Sequence, residues 1–403
     1  MLKSLQKAFK VKEVRDRLLY TFMMLVVIRI GCCLPIPGVD PSYLHDFFSN
    51  LQNSGMGFFN AITGGSFSSM SIFALSITPY ITSSIIMQLL TIAIPKLEEM
   101  QKDGEDGRKK IAEYTRYLTV GLALFESCAM AVGLGGKGLL LEDHRNIWGY
   151  LTVVAAMTAG SALLMWIGER ITDNGVGNGI SIVLLINIVS GTPQDMMTLY
   201  ERFMAGRSVA VATVSGIIVL AIIVAIVVFV LVLNDAERRI PVQYSKKMQG
   251  RRMIGGQSTY IPLKVNTANV IPVIFASSIM SMPVMIAQFF HVDYSTIGGK
   301  ILLALSSSNW FKPEAPAYSI GMLVYIVLVV LFAYFYTSIT FNPLEVANNM
   351  KKSGGFIPGV RPGKPTSDFL NNILNYIVFI GATGLVIVCI VPIIASGLFN
   401  VGS

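Results

Sequence analysis

The chain has 403 residues, of which 53% are hydrophobic and only 13% charged, with a formal net charge of +8. Soluble domains carry about 25% charged residues, so this composition excludes an ordinary soluble fold. The apolar residues fall in long runs, as membrane spans do.

Residues 1–17 place Leu2, Leu5 and Phe9 on one helical face among basic residues. That suits an interfacial helix on the cytoplasmic surface or a charged tail that sets topology. Nine apolar runs follow, at 18–34, 71–94, 118–134, 147–167, 177–191, 209–233, 270–290, 319–340 and 370–394. The fifth is short and opens on Gly-rich sequence. A helix satisfies its own backbone hydrogen bonds in lipid, so the expected fold class is an all-α polytopic membrane bundle. The period-2 alternation of a membrane β-barrel is absent. Of the 31 Lys and Arg residues, 23 fall in alternate segments on the N-terminal side of the membrane and 6 on the other. Positive residues stay inside, so the N-terminus is expected in the cytoplasm and the end of this sequence outside. No cleavable signal is visible, and the first run reads as an uncleaved span.

Residues 59–70, FNAITGGSFSSM, are Gly/Ser-rich and lead without a charge into the second span. Loose backbone at membrane depth must be buried in protein or line a water-filled cavity. The second span contains TPYITSSIIM (78–87) and the seventh IPVIFASSIM (271–280). They lie an odd number of spans apart, so matched copies would run in opposite directions, as inverted repeats do. The alternative is chance similarity between two apolar Ser-containing helices. The corresponding halves would be 1–191 and 192–403.

Two connections, 234–268 and 341–369, exceed the two to eight residues that helix pairs usually need. They carry the basic pairs Arg238-Arg239, Lys246-Lys247, Arg251-Arg252 and Lys351-Lys352 beside Gly/Pro turns. These suit docking of a large cytoplasmic partner, against the simpler reading of topology bias and contact with membrane lipid headgroups.

Ile77 and Ile81 share a helix face, as do Leu184 and Ile188, and Ile274 follows Pro272. Such aliphatics are ordinary core or lipid contacts unless they converge on a cavity, where they form a dry constriction. Ser83, Ser84, Gln88, Ser277 and Ser278 are polar groups within spans, suited to joining helices or to a seam that opens sideways. Glu126 is an intramembrane carboxylate, and Arg29 near the outer end of the first span suggests snorkelling or structural support. The cysteines Cys32, Cys33, Cys128 and Cys389 lack metal-ligand spacing, and no nucleophile triad, zinc motif or nucleotide loop is present. The reading is therefore a non-enzyme with no cofactor and no metal.

The segments GERITDNGVGNGISIVLLINIVSG (168–191), SIFALSITPYITSSIIMQLL (71–90) and KKSGGFIPGVRPG (351–363) resemble the SecY family, central subunits of bacterial protein-translocation channels. Arg29-Ile-Gly before PIPGVD, EDGRKKIAEYTRY (105–117) and QGRRMIGGQSTYIPLKVN (249–266) fit it as well. The resemblance runs from about residue 13 to 395.

It implies a channel in the bacterial cytoplasmic (inner) membrane that passes unfolded secretory chains and releases membrane segments sideways. Segment 59–69, with Phe59, Asn60, Ile62, Gly64, Gly65, Phe67 and Ser68, would be its plug. Ile77, Ile81, Leu184, Ile188 and Ile274 would belong to the pore ring. Ser83, Ser84, Gln88, Glu126, Ser277 and Ser278 would lie near the lateral gate. Arg251, Arg252, Lys351, Lys352 and Arg361 would lie in loops that meet the SecA ATPase motor or the ribosome. Signal-sequence-bearing polypeptides and SecE- and SecG-like small membrane subunits are the other implied partners. The family has ten spans, so this chain is expected to be truncated after the ninth, or to have the missing helix supplied by another. Glu126 stands where the family suggests a neutral polar residue, which points to gate tuning. The alternatives are a secondary transporter built on inverted repeats, for which Glu126 is the acidic candidate, and a non-transporting scaffold or insertase.

Overall fold

In this computed structural model the described residues are 9–40, 63–135, 138, 140–141, 145–206, 208–244, 247–249, 252–254, 258–289, 296–306, 309–310 and 316–399. The helices are α1 (Lys12–Cys33), α2 (Thr78–Ala93), α3 (Pro95–Lys102), α4 (Glu105–Leu134), α5 (Ile147–Asn174), α6 (Gly179–Phe203), α7 (Val209–Asp235), α8 (Ile271–Phe289), α9 (Ile297–Leu305), α10 (Ile320–Thr340), α11 (Pro343–Lys352) and α12 (Lys364–Phe399). Five stretches are by themselves long and apolar enough to cross a membrane: Ile147–Asn174, Gly179–Glu201, Ala210–Asp235, Ile320–Lys352 and Lys364–Ala395. The pair α2 and α3 makes a sixth if it counts as one span, bent by 107° at the break before Pro95. A count of nine is thus not reached by helix length and composition among the described residues.

Three expectations change. First, the second apolar run is not helical from its start. Met70 and Ser76 both take positive φ, 41° and 51°, which breaks any helix there. The regular helix begins at Thr78, where Pro79 sits in the first turn and gives up no needed N–H. Second, α6 continues to Phe203 through Pro193, well past the expected end at 191. Asn178 starts it, its Oδ1 accepting from the N–H of Ile180 and Ser181 at 3.0 and 3.3 Å. Third, the fold is mostly helical rather than all-α. Strand β1 (Glu237–Tyr244) pairs antiparallel with β4 (Ser258–Lys264) and with β5 (Gly355–Phe356), in the order β4-β1-β5. Between them β2 (Lys247–Gln249) and β3 (Arg252–Ile254) form a separate two-stranded ladder. The signal for β1 was Ile240 and Val242 alternating with exposed neighbours, a period-2 pattern inside a charged loop.

The chain divides into two compact units. The first is built mainly of Met1–Leu199 with Pro283–Leu302, and the second of Tyr200–Met282 with Leu303–Val401. In the first, α5 packs on α4 and α1, and α2 packs on α4. One apolar core gathers Ile36, Phe67, Met70, Leu75, Met130 and Met157, and another Ile28, Phe73, Ile77, Leu164, Ile167 and Val183. In the second, α12 is the long support against which α10, α11 and α7 pack. Asn342 caps α11 by accepting from the N–H of Leu344 and Glu345, while Lys351 and Lys352 sit at its C-terminal end, where the helix dipole favours cations.

Close approach at Gly160 fixes α5 against the non-helical segment, because a Cβ there would collide with the Ile72 carbonyl. Gly160→Val is expected to overpack this contact and destabilise the protein by about 1–3 kcal/mol. Thermal unfolding in detergent should show a lowered midpoint for this variant.

Candidate functional site

Residues Gly64–Ile77 run as successive turns rather than helix, and their backbone polar groups are paired one after another. Ser66 N–H donates to Thr63 O, Met70 N–H to Phe67 O, Ala74 N–H to Ser71 O and Ser76 N–H to Phe73 O. A short bridge to the end of α1 adds two more bonds, Ile36 N–H to Met70 O and Ile72 N–H to Leu34 O, both 3.0 Å. The segment is therefore clothed by protein, as a non-helical stretch at membrane depth must be. Phe67 and Met70 are buried in the first core, and Ser68 and Ser69 close the turn by donating to Gly65 O. Phe59, Asn60 and Ile62 lie outside the described residues.

Arg29 does not snorkel outward. It is half-buried, and its Nη1 donates to Ser190 Oγ at 2.9 Å and to Gly64 O at 3.4 Å. Ser190 in turn donates to Asn187 O at 2.6 Å, and Asn187 Nδ2 donates to Ser76 Oγ at 3.0 Å. Asn187 and Ser76 are each 1% exposed. The sequence reading passed over Asn187 and Ser190; the available signal was a polar pair inside the otherwise apolar IVLLINIVSG.

Of the aliphatic residues singled out, Ile77, Ile81 and Leu184 come together in the second core of the first unit. Ile77 is wholly buried, Ile81 and Leu184 half-buried, and Ile188 is 53% exposed. Ile274 belongs to the second unit, half-buried in the first turn of α8. Ser83 is buried and donates to Pro79 O at 2.7 Å, Ser84 is half-buried and Gln88 exposed. Glu126 is half-buried on α4 and makes no hydrogen bond or ion pair among the described residues. In the second unit Ser277 meets the Tyr325 hydroxyl at 3.3 Å, joining α8 to α10, and Ser278 is half-buried beside it in sequence. α8 opens one residue before Pro272 as α2 opens one residue before Pro79, so the two echoing segments begin their helices alike.

The two large connections meet in one sheet. Ile240, Val242 and Leu263 face inward onto Met350, Ile357, Leu370 and Ile377. Outside, Arg239 donates to Glu237 at 2.6 Å and lies over the Tyr260 ring at 4.9 Å. The hydrogen bond to Glu237, with the nearby Tyr260, holds the Arg239 guanidinium above its ordinary range. Arg361 is exposed on a turn pinned by Thr366, whose hydroxyl donates to Arg361 O at 2.8 Å. Lys351 and Lys352 are exposed on the neighbouring helix end. Arg252 lies in β3, and Arg251 falls outside the described residues. Among the described residues no group of His, Cys, Asp and Glu has the arrangement of a metal site.

Residues 71–403 match the family model described as SecY. A protein translocase subunit SecY from Streptomyces scabiei is 45% identical over 98% of this chain and 90% of its own length. Among solved structures, one described as showing that the plug domain of the SecY protein stabilises the closed state of the translocation channel superposes with a TM-score of 0.60. It is 18% identical and covers 96% of this chain and 90% of that one. The idle yeast Ssh1 complex bound to the yeast 80S ribosome gives a TM-score of 0.61 at 14% identity, over 96% of this chain and 88% of that one. At these identities the two structures carry the fold.

Leu370, fully buried beneath the sheet, anchors it to α12. Leu370→Ala is expected to cost about 2–5 kcal/mol locally and to speed amide exchange in β1 by roughly a hundredfold. Hydrogen exchange read by mass spectrometry checks this, with the α2 amides as the unaffected reference.

Proposed function

This chain belongs to the SecY family, and we propose that it works as a plugged pore with a sideways-opening gate. It is a protein-conducting channel subunit and a multi-pass membrane protein, and it is not an enzyme. The observation that carries the finer reading is the uncharged, turn-built segment Gly64–Ile77, folded into the first unit and joined directly to α2. A span of lipid-facing helix has no use for such backbone; a movable stopper does.

In this reading residues 59–69 are the plug. Ile77, Ile81, Leu184, Ile188 and Ile274 belong to the constriction. An aliphatic ring offers a passing chain no fixed hydrogen bonds, so it seals without holding any particular sequence. Helices α1, α2, α4, α5, α6, α7, α8, α10 and α12 serve as nine spans, divided into halves 1–191 and 192–403, with the N-terminus in the bacterial cytoplasm. Ser83, Ser84, Gln88 and Glu126 on one side and Ser277 and Ser278 on the other border the gate, where a signal sequence enters. The β4-β1-β5 sheet, Arg251, Arg252, Lys351, Lys352 and Arg361 form the cytoplasmic docking surface for a SecA-type ATPase or a ribosome. SecE- and SecG-like subunits brace the channel within the lipid. Energy comes from the docked partner, because the sequence holds no nucleotide loop.

A cysteine at Ile81, in a chain whose four native cysteines are replaced by alanine, is expected to crosslink to a stalled secretory polypeptide. Failure at Ile81 with efficient crosslinking from lipid-facing α7 positions would remove Ile81 from the passage. Arg361→Glu is expected to reduce motor-driven export about tenfold or more, the size of losing one well-placed charge contact. Export assays in membrane vesicles test it, and normal SecA-dependent transport would take Arg361 out of the docking surface.

A further inference from the structure

A cation part-way into a membrane bundle pairs with a carboxylate or with backbone carbonyls. Among the described residues Arg29 pairs with no carboxylate; it holds a hydroxyl and a backbone carbonyl. Those two acceptors belong to different parts of the chain. Ser190 is on α6, and Gly64 is in the turn within residues 59–69. Arg29 itself is on α1. One side chain thus ties three segments that are otherwise far apart in sequence.

The seat of the Gly64 turn is fitted to this contact. Gly64 has φ of 64°, and a Cβ there would lie 2.8 Å from Asn187 O and 2.9 Å from Ser190 Oγ. Only glycine takes that conformation without strain while leaving the two α6 groups in place. Behind it, Asn187 reaches across to Ser76, the left-handed residue just before α2. The cluster therefore runs from the turn to the foot of the helix that Ile77 precedes and that carries Ile81.

We propose that Arg29, Ser190 and Asn187 form a latch that holds the Gly64 turn seated in the resting channel, Arg29 acting as a positioning residue for closure. This rests on the reading of residues 59–69 as the plug. The latch is built to release. Its acceptors on the plug side are neutral, so withdrawing the turn separates no pair of full charges. Asn187 Oδ1 is buried without a partner among the described residues. Water admitted by an opening pore supplies a donor to that atom and acceptors to Arg29, which favours the open state once opening has begun.

The test uses the assembled translocase complex in planar bilayers, with export of a preprotein carrying a weakened signal sequence as the second readout. Arg29→Met is expected to raise resting conductance about tenfold or more, the scale of one charge-assisted hydrogen bond, and to admit the weakened preprotein. Arg29→Lys, which keeps a charged donor, restores most of the closure. Ser190→Ala leaks to a smaller degree, and Gly64→Ala leaks with Arg29 intact. If Arg29→Met does not assemble, Ser190→Ala and Arg29→Lys carry the test between them. Wild-type conductance and signal stringency in assembled Arg29→Met and Ser190→Ala channels would overturn the latch. Ile81→Asn is the control: if it leaks and the latch variants do not, the latch alone falls. If it also stays tight, the plug-and-ring reading falls and the latch with it.

Discussion

A backbone amide at membrane depth has no water to turn to, and lipid offers it nothing. The stretch from Gly64 to Ile77 gives up helical bonding, and several features of the first unit make that tolerable. Its tight turns pair most of the backbone internally, and the bridge to Leu34 and Ile36 takes up more. Gly160 lets α5 come close enough to cover it, and Phe67, Met70 and Phe73 fill the space around it. The result is a segment held by many short-range bonds and few regular ones. In the proposed reading such a segment leaves its seat more readily than a helix would, since no long ladder must be broken at once.

The second unit answers a different demand. In the proposed reading it presents a firm surface to a large partner while its own spans stay in lipid. The sheet drawn from two separate connections does this by burying Ile240, Val242 and Leu263 against α11 and α12 and leaving charge outside. α7, apolar on every side and little covered by protein, has the character of a helix whose neighbour is lipid. In the proposed reading the chain separates a pliable passage from a stiff platform.

Much of this was legible in the sequence, and the exceptions have physical causes. Apolar runs mark helices well because burial in lipid leaves one choice of backbone, and α7, α8 and α10 fall within two residues of their expected bounds. The end of α6 was misplaced because Gly191-Thr192-Pro193 reads as a stop, whereas the helix continues through it to Phe203. The sheet was missed because β1 and β5 lie in different connections, and nothing local in Gly355–Phe356 names Gln243 and Tyr244 as partners. The pairing of Arg29 with Ser190 was hidden for the same reason: 161 residues separate them, and only folding sets them side by side.

The order of the strands also bears on how the protein is made. β1 and β4 come from one connection and can pair as soon as Lys264 has left the ribosome. The other edge of β1 waits for Gly355–Phe356, which arrive only after α8, α9, α10 and α11 have been synthesised. Until then the sheet has an open border and its inner face lacks Ile357 and Leu370. The sheet is therefore finished late in synthesis, so a nascent chain with its C-terminal helices still unmade presents an incomplete surface. The last strand of the sheet thus joins it only when most of the chain has been made.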